Sequence, residues 1–408
     1  MSTYTRLMQS VVAFALASAA SAADCQRVKL LNHAATGDDH FGRSVAIDAD
    51  VLLIGAPSTD TYGTNVGIVF VSTRTGGVWG PLQELTHGDP NLGVVTGRSV
   101  ALDRDRLALS LAHSYAEVWE QDASAAWAPV ALFSNDDACC TFYGESIALH
   151  RNVLAVGAPY DSSGFFEGGS VYIYERDPNG NWSQRAEVWP DDVFRADRFG
   201  LSLAVDRRRI VAGAPEDDDL GFASGSAYVF EDDPNAGWVQ AAKLLPSDGG
   251  SMDVFGAAVA IQDGTILVGA QNDNAPATSS GSVYVFEEVA PSLWWQRQKL
   301  TASDAAAGDK FGWSVDLDGA IAVIGARTAN VGAPDTGAAY VFHRQPSGLW
   351  LEVAKLVPSD RQPFDEFGNA VAVSGTTAII GAWKMTKARW IPGRRTSSAS
   401  ARTPTATA

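Results

Sequence analysis

Two short runs, Asp217-Asp218-Asp219 and Asn272-Asp273-Asn274, are the residues best suited to hold a cation or grip a partner. Each presents side-chain oxygens on consecutive loop residues, although calcium needs six to eight oxygens together. A second acidic pattern is strictly periodic: Asp192 and Asp197, Asp248 and Asp253, Asp304 and Asp309, Asp360 and Asp365. These pairs lie 7 and 2 residues before a phenylalanine, a regularity that suits Asx-type turn capping. Gly42-Arg43-Ser44-Val45-Ala46 and Gly200-Leu201-Ser202-Leu203-Ala204 approach a nucleophile elbow. An elbow must join a strand to a helix and find a histidine and an acid elsewhere. These serines instead recur on the small-residue face of a repeated strand. The six histidines (His33, His40, His87, His113, His150, His343) form no pair at ligand spacing, and no phosphate loop or zinc pattern is present. The sequence therefore offers no catalytic set, and no cofactor is expected to be required, calcium being the cation that the runs at residues 217–219 and 272–274 could take.

Those residues sit in a repeat. An aromatic-Gly pair recurs at Tyr143, Phe199, Phe255, Phe311 and Phe367 in steps of 56, with an earlier copy at Phe41-Gly42 and a degenerate one at Thr96-Gly97. A long fixed period signals a repeat architecture. Within the unit from Phe199, bulky Phe199, Leu201, Leu203 and Val205 alternate with Gly200, Ser202 and Ala204, the period-2 pattern of a strand. Its small face implies close approach of another layer of backbone. Ile210-Val211-Ala212-Gly213-Ala214 reads as a buried strand, Ser226 to Glu231 as a third and Trp238 to Leu244 as an outer fourth. Asp, Gly, Pro and Asn punctuate the turns. Four short antiparallel strands per repeat make a propeller blade. The expectation is an all-β, seven-bladed propeller of four-stranded blades starting near 41, 96, 143, 199, 255, 311 and 367. Trp79, Trp127, Trp182, Trp238, Trp294 and Trp350 recur at one place, as packing on the outer strands. The second unit departs: Ser110-Leu111-Ala112 replaces Gly-Ala-Pro, and its following loop is short but gains His113 and Tyr115.

The termini raise their own expectations. Met1 to Ala22 combines Arg6, an apolar core around Val11-Val12-Ala13-Phe14-Ala15-Leu16 and a small-residue end, the pattern of a secretory signal peptide cleaved after Ala22. No other segment reads as a membrane span. Cys25, Cys139 and Cys140 are too few for a disulfide scaffold; a vicinal disulfide or free thiols suit the adjacent pair. Gln26-Arg27-Val28-Lys29-Leu30 resembles the outer-strand sequence Gln296-Arg297-Gln298-Lys299-Leu300, so it is expected to close the ring on the unit beginning at Phe367. That unit follows the repeat to Ala382 and then turns basic: from Lys384 there are six Lys or Arg and no acid. Loss of one base near codon 384 accounts for this. In the shifted frame Met385-Thr386 and Trp390-Ile391 each force Asp. With permitted synonymous codons, residues 384–398 reread as Asp-Asp-Glu-Gly-Ala-Val-Asp-Ser-Gly-Ala-Ala-Tyr-Val-Phe, close to Asp335–Phe342. Residues 384–408 are thus expected to be a frameshifted, disordered tail.

Phe-Gly, then Gly-Ala-Pro, then Gly-Ser-x-Tyr-Val-Phe resembles the FG-GAP repeat. The similarity extends to the β-propeller of integrin α chains and, through Lys299-Leu300-Thr301-Ala302-Ser303-Asp304, to secreted bacterial FG-GAP proteins. The resemblance implies an extracellular propeller that binds ligands or partners, with no activity assigned to the repeat. Integrin-type repeats often carry an Asp-x-Asp-x-Asp-Gly calcium loop. Here that interval holds tight hairpins, Asp48-Ala49-Asp50, Asp103-Arg104-Asp105, Asp206-Arg207-Arg208 and Gln262-Asp263-Gly264, too short to wrap calcium. The chain carries 47 acids against 30 bases, net −17, and every acid lies between residues 23 and 383. Such a surface repels nucleic acid and anionic lipid. The leading expectation is a secreted (periplasmic or extracellular), non-enzymatic propeller that binds a protein or glycan. The alternatives are a propeller hydrolase or lyase with its site at the central channel, and a structural module of a larger surface assembly.

Overall fold

The computed structural model describes residues 10–15, 26–31, 39–59, 66–86, 95–111, 114–135, 141–164 and 166–383. Cys25, Cys139, Cys140, His113, the cleavage position at Ala22 and the tail from Lys384 lie outside them. Every described regular element apart from single turns is a β-strand, and all strand pairs are antiparallel. The unit at Phe199 shows the plan: Ser202–Asp206, Arg209–Ala214, Ser226–Asp233 and Gly237–Leu244 form one sheet in chain order. The first strand lines the channel and the fourth lies outside.

The strand count corrects the expected blade number. Six sheets are four-stranded blades, not seven; residues 44–85 form a five-stranded sheet instead. The cause lies in Gly80-Pro81. Proline has no N–H to give the ladder and fixes its own φ. Ser72 Oγ donates to the Gly80 carbonyl at 2.9 Å and Gly80 N donates to Thr73 O at 3.0 Å, turning the chain out of the outer strand. The outer strand is therefore cut into Val78–Trp79 and Gln83–Leu85, both paired with Ile68–Thr75. Closure also differs from the expectation of a single N-terminal strand. Phe367–Ser374 and Thr377–Ala382 are joined by two N-terminal strands, with Ser10–Ala15 between Thr377–Ala382 and Gln26–Leu31.

The Phe-Gly and Gly-Ala pairs lock neighbouring sheets together. Phe41, Phe199, Phe255, Phe311, Phe367 and Tyr143 are fully buried. Phe199 packs with Val171 and Ile173 of the preceding blade and with Tyr228 and Phe230 of its own. A Cβ on Gly213 would stand 1.9 Å from the carbonyl oxygen of Gly256 in the next blade, and Gly256 itself has φ of +91°. Neither position admits a side chain without displacing backbone. Ser202 Oγ donates to that same Gly256 oxygen at 2.7 Å, and Ser44, Ser146 and Ser314 make the corresponding bonds to Gly97, Gly200 and Gly368. The close approach implied by the small face is thus a backbone-to-backbone contact between blades. The recurrent tryptophans pack into the inter-blade cores, Trp350 and Trp294 being buried.

Candidate functional site

The acidic residues singled out by sequence belong to a repeated clamp. In the blade at Phe199, the Tyr228 hydroxyl donates to Asp217 Oδ2 at 2.7 Å and Asp192 Oδ1 at 3.1 Å. Lys243 Nζ reaches Asp192 at 2.7 Å, Asp217 at 3.0 Å and Asp219 at 2.5 Å. Burial pushes Asp192 up, but its bonds from Lys243 and Tyr228 outweigh that and hold it below the usual carboxylate range. One blade on, Tyr284 donates to Asp248 at 2.8 Å and Asp273 at 3.2 Å, while Lys299 bridges the same two acids. Tyr340 and Lys355 both meet Asp304, with Ala329 in place of the second acid, and Asp360 meets Lys29. Asp218 and Asn274 instead accept loop N–H groups, from Ala223 at 2.6 Å and Ser279 at 3.0 Å, and Asn272 accepts from Lys310. The two runs therefore hold equivalent loops of successive blades in place. Among the described residues no group of three or more His, Cys, Asp or Glu has the arrangement of a metal site.

The second acidic pattern divides its labour. The aspartates two before each phenylalanine cap their own turns: Asp197 accepts from Phe194 N, Asp253 from Gly250 N and Asp309 from Ala306 N, at 2.5–2.8 Å. Burial raises Asp197 to about 6, with the bond from Phe194 opposing and Asp217 adding to the rise. Those seven before join the clamp described above.

The channel runs between the inner strands. At one end, the first hairpins bond across sheets: Asp48 accepts from Arg104 N at 2.6 Å, Asp206 from Asp263 N at 2.8 Å and Ser374 from Ala49 N at 3.0 Å. His150 stands in the corresponding place, its Nδ1 3.7 Å from Asp206. Midway lies a cavity of about 330 Å³. Ala46, Ala101, Ala148, Ala204, Ala260 and Ala372 occupy one repeat position along it, and Asp316 stands at that position in the remaining strand. Its Oδ2 accepts from Val373 N at 2.6 Å, and burial raises the carboxyl to about 7 against that bond.

At the other end, where the inner strands begin, several of the residues that follow the unit glycines lie together. Arg43 and Arg98 follow Gly42 and Gly97, and Trp313 follows Gly312; Arg327 and Trp383 take the place of the Gly-Ala-Pro proline. The Arg43 guanidinium lies over the Trp383 ring at 4.8 Å, and Arg327 lies over Trp313 at 3.7 Å and Trp383 at 5.5 Å. Arg98 pairs with Glu145 at 2.5 Å and Arg327 with Glu366 at 3.4 Å. Burial first, then the charge of Arg98, lowers Arg43 to about 10, only partly offset by Glu145 and Glu366. The sequence held a signal for this cluster that its reading missed. Arg327 and Trp383 stand where other units have the Gly-Ala-Pro proline, and Asp316 where they have alanine; these departures mark the channel.

The chain can now be placed. The FG-GAP repeat matches residues 25–72, 182–230, 238–286, 294–342 and 350–398, more than half of the chain. The protein belongs to the FG-GAP repeat family and is an FG-GAP β-propeller. Each matched segment opens on an outer strand, and the first opens at the N-terminal strand Gln26–Leu31. A solved structure of a protein from Lactobacillus plantarum is similar at a TM-score of 0.52 and 16% identity, over 91% of this chain and 99% of that one. At that identity the likeness shows the fold alone. No protein of curated function matches the sequence.

Proposed function

We propose that the protein is a secreted, non-enzymatic propeller that binds a protein or glycan partner at the face where its inner strands begin. The observation that carries this reading is how the chemically capable residues are used. The recurrent serines donate to inter-blade carbonyls, and the paired acids clamp tyrosine and lysine within blades. Arg327 and Trp383, both departures from the Gly-Ala-Pro proline, meet Arg43 and Trp313 at one mouth of the channel, an arrangement suited to recognition. The leader-like N-terminus and the acidic surface support a location outside the cytoplasm, periplasmic or extracellular, without nucleic acid as partner; cleavage after Ala22 would remove Ser10–Ala15 and leave the third-strand slot of the last blade to another segment. No metal is part of this reading.

The test is a glycan and surface-protein binding screen on the purified chain, run beside turnover assays on the same polysaccharides. Saturable binding without turnover is expected. Release of product from any bound glycan would replace this reading with the channel-enzyme one.

A further inference from the structure

We infer that the mouth of the channel is an oxyanion site, in which Arg43, flanked by Arg98 and Arg327, receives a carboxylate carried by the partner. The inference rests on the binding reading above and names what is bound. Arg43 is half-buried and stacks its face on Trp383, and among the described residues no carboxylate forms an ion pair with its guanidinium. Arg98 and Arg327 each have one, Glu145 and Glu366, so among the described residues three guanidinium groups share two paired acids in a chain whose net charge is −17. Three crowded cations that the nearby Glu145 and Glu366 offset only in part are costly to hold together, and an entering anion relieves that cost. The lowered pKa of Arg43 has the same origin, burial together with Arg98. Arginine presents parallel N–H donors that match a carboxylate edge-on, and the cation–π stack holds that edge in place.

The acidic body of the protein selects among anions. Polyphosphates and nucleic acids meet repulsion from most of the surface, whereas a single carboxylate pays little for approach. A uronic-acid sugar fits: one negative group for Arg43, and a ring that can extend out of the mouth. A free inorganic oxyanion shares the chemistry, and the experiment separates the two sources.

Isothermal titration of the full chain with galacturonate, galactose and sulfate provides the test. Galacturonate is expected to bind and galactose is not. Arg43→Gln should weaken galacturonate at least tenfold, Arg43→Lys should weaken it less, and Arg297→Gln on an outer strand should leave it unchanged. A melting curve for Arg43→Gln separates lost contact from lost fold. If it unfolds, the Arg43→Lys affinity and the effect of salt on galacturonate binding decide. Sulfate competing with galacturonate through Arg43 supports the site and makes a free oxyanion its occupant. Equal binding of galactose, or galacturonate binding that Arg43→Gln leaves intact, overturns the site. A partner from the screen that binds Arg43→Gln undiminished would leave the binding module standing and remove only this inference.

Discussion

The blade beginning at Phe255 and the blade beginning at Phe367 use one backbone plan with different strands. In the first, Ser282–Ala290 lies third, Ser282 opposite Ala270 and Tyr284 opposite Lys299. In the second, Ser10–Ala15 lies third in the same register: Ser10 faces Ala382 and Val12 faces Lys29. Asp360 still meets Lys29 as Asp248 meets Lys299. The clamp tyrosine, however, has become Val12. The comparison separates two kinds of specificity. A ladder slot accepts any segment with the right alternation, and Ser-Val-x-x-Phe supplies it from either end of the chain. The clamp is chemically selective, because only tyrosine brings a hydroxyl between the two acids.

Removing strands tests the comparison most severely. Deleting residues 10–31 should open the ring, lower the melting temperature by more than ten degrees and promote association through the bared edge of Thr377–Ala382. Unchanged melting and a monomeric elution would end the closure account. The next largest effect sharpens it. Resequencing the gene around codon 384 should find one further base, and a chain carrying the reread strand with its tyrosine should melt several degrees above the present one. An intact frame in independent isolates would dismiss the frameshift and leave a basic tail in its place.

A smaller effect is expected in the channel. The Asp316 carboxyl titrates near 4 when unfolded and at about 7 when folded. Its folded form is therefore favoured below pH 4, and that advantage is lost as pH rises through 7. Asp316→Asn should stabilise the protein by about 2 kcal/mol at pH 8 and not at pH 4. Denaturant curves at the two pH values showing equal gains would contradict the burial of that charge. Smallest is the clamp itself. Tyr284→Phe should cost about 1 kcal/mol by loss of hydroxyl bonds to Asp248 and Asp273, read by urea denaturation. A double mutant with Asp248→Ala that loses the sum of the two single costs would show that no clamp exists.

What the sequence disclosed follows the same division. Strands and their inner small face were legible because Gly213 and Ser202 answer to a local rule, backbone approaching within a side chain's reach. The split outer strand was equally local, since Gly80-Pro81 interrupts the pattern, yet the period masked it and led to one four-stranded blade too many. The acidic runs were found as residues but not as a clamp. Asp217 gains its meaning from Tyr228 and Lys243, which lie on the next two strands of the same blade. The arginine mouth was least legible of all. Arg43 and Trp383 become neighbours only when the two ends of the ring meet.

The pairing of Lys29 with Asp360 joins residues 331 apart in sequence, and it has a consequence in time. Bringing such ends together costs about 5 kcal/mol of chain entropy before any contact repays it, and long-range pairing slows folding. Blades made of consecutive strands can form as the chain emerges, but the last one waits for Thr377–Ala382 to be synthesised. Until then the N-terminal strands stay unclaimed and free to be threaded elsewhere. The chain thus postpones its own completion by the order in which its strands are made.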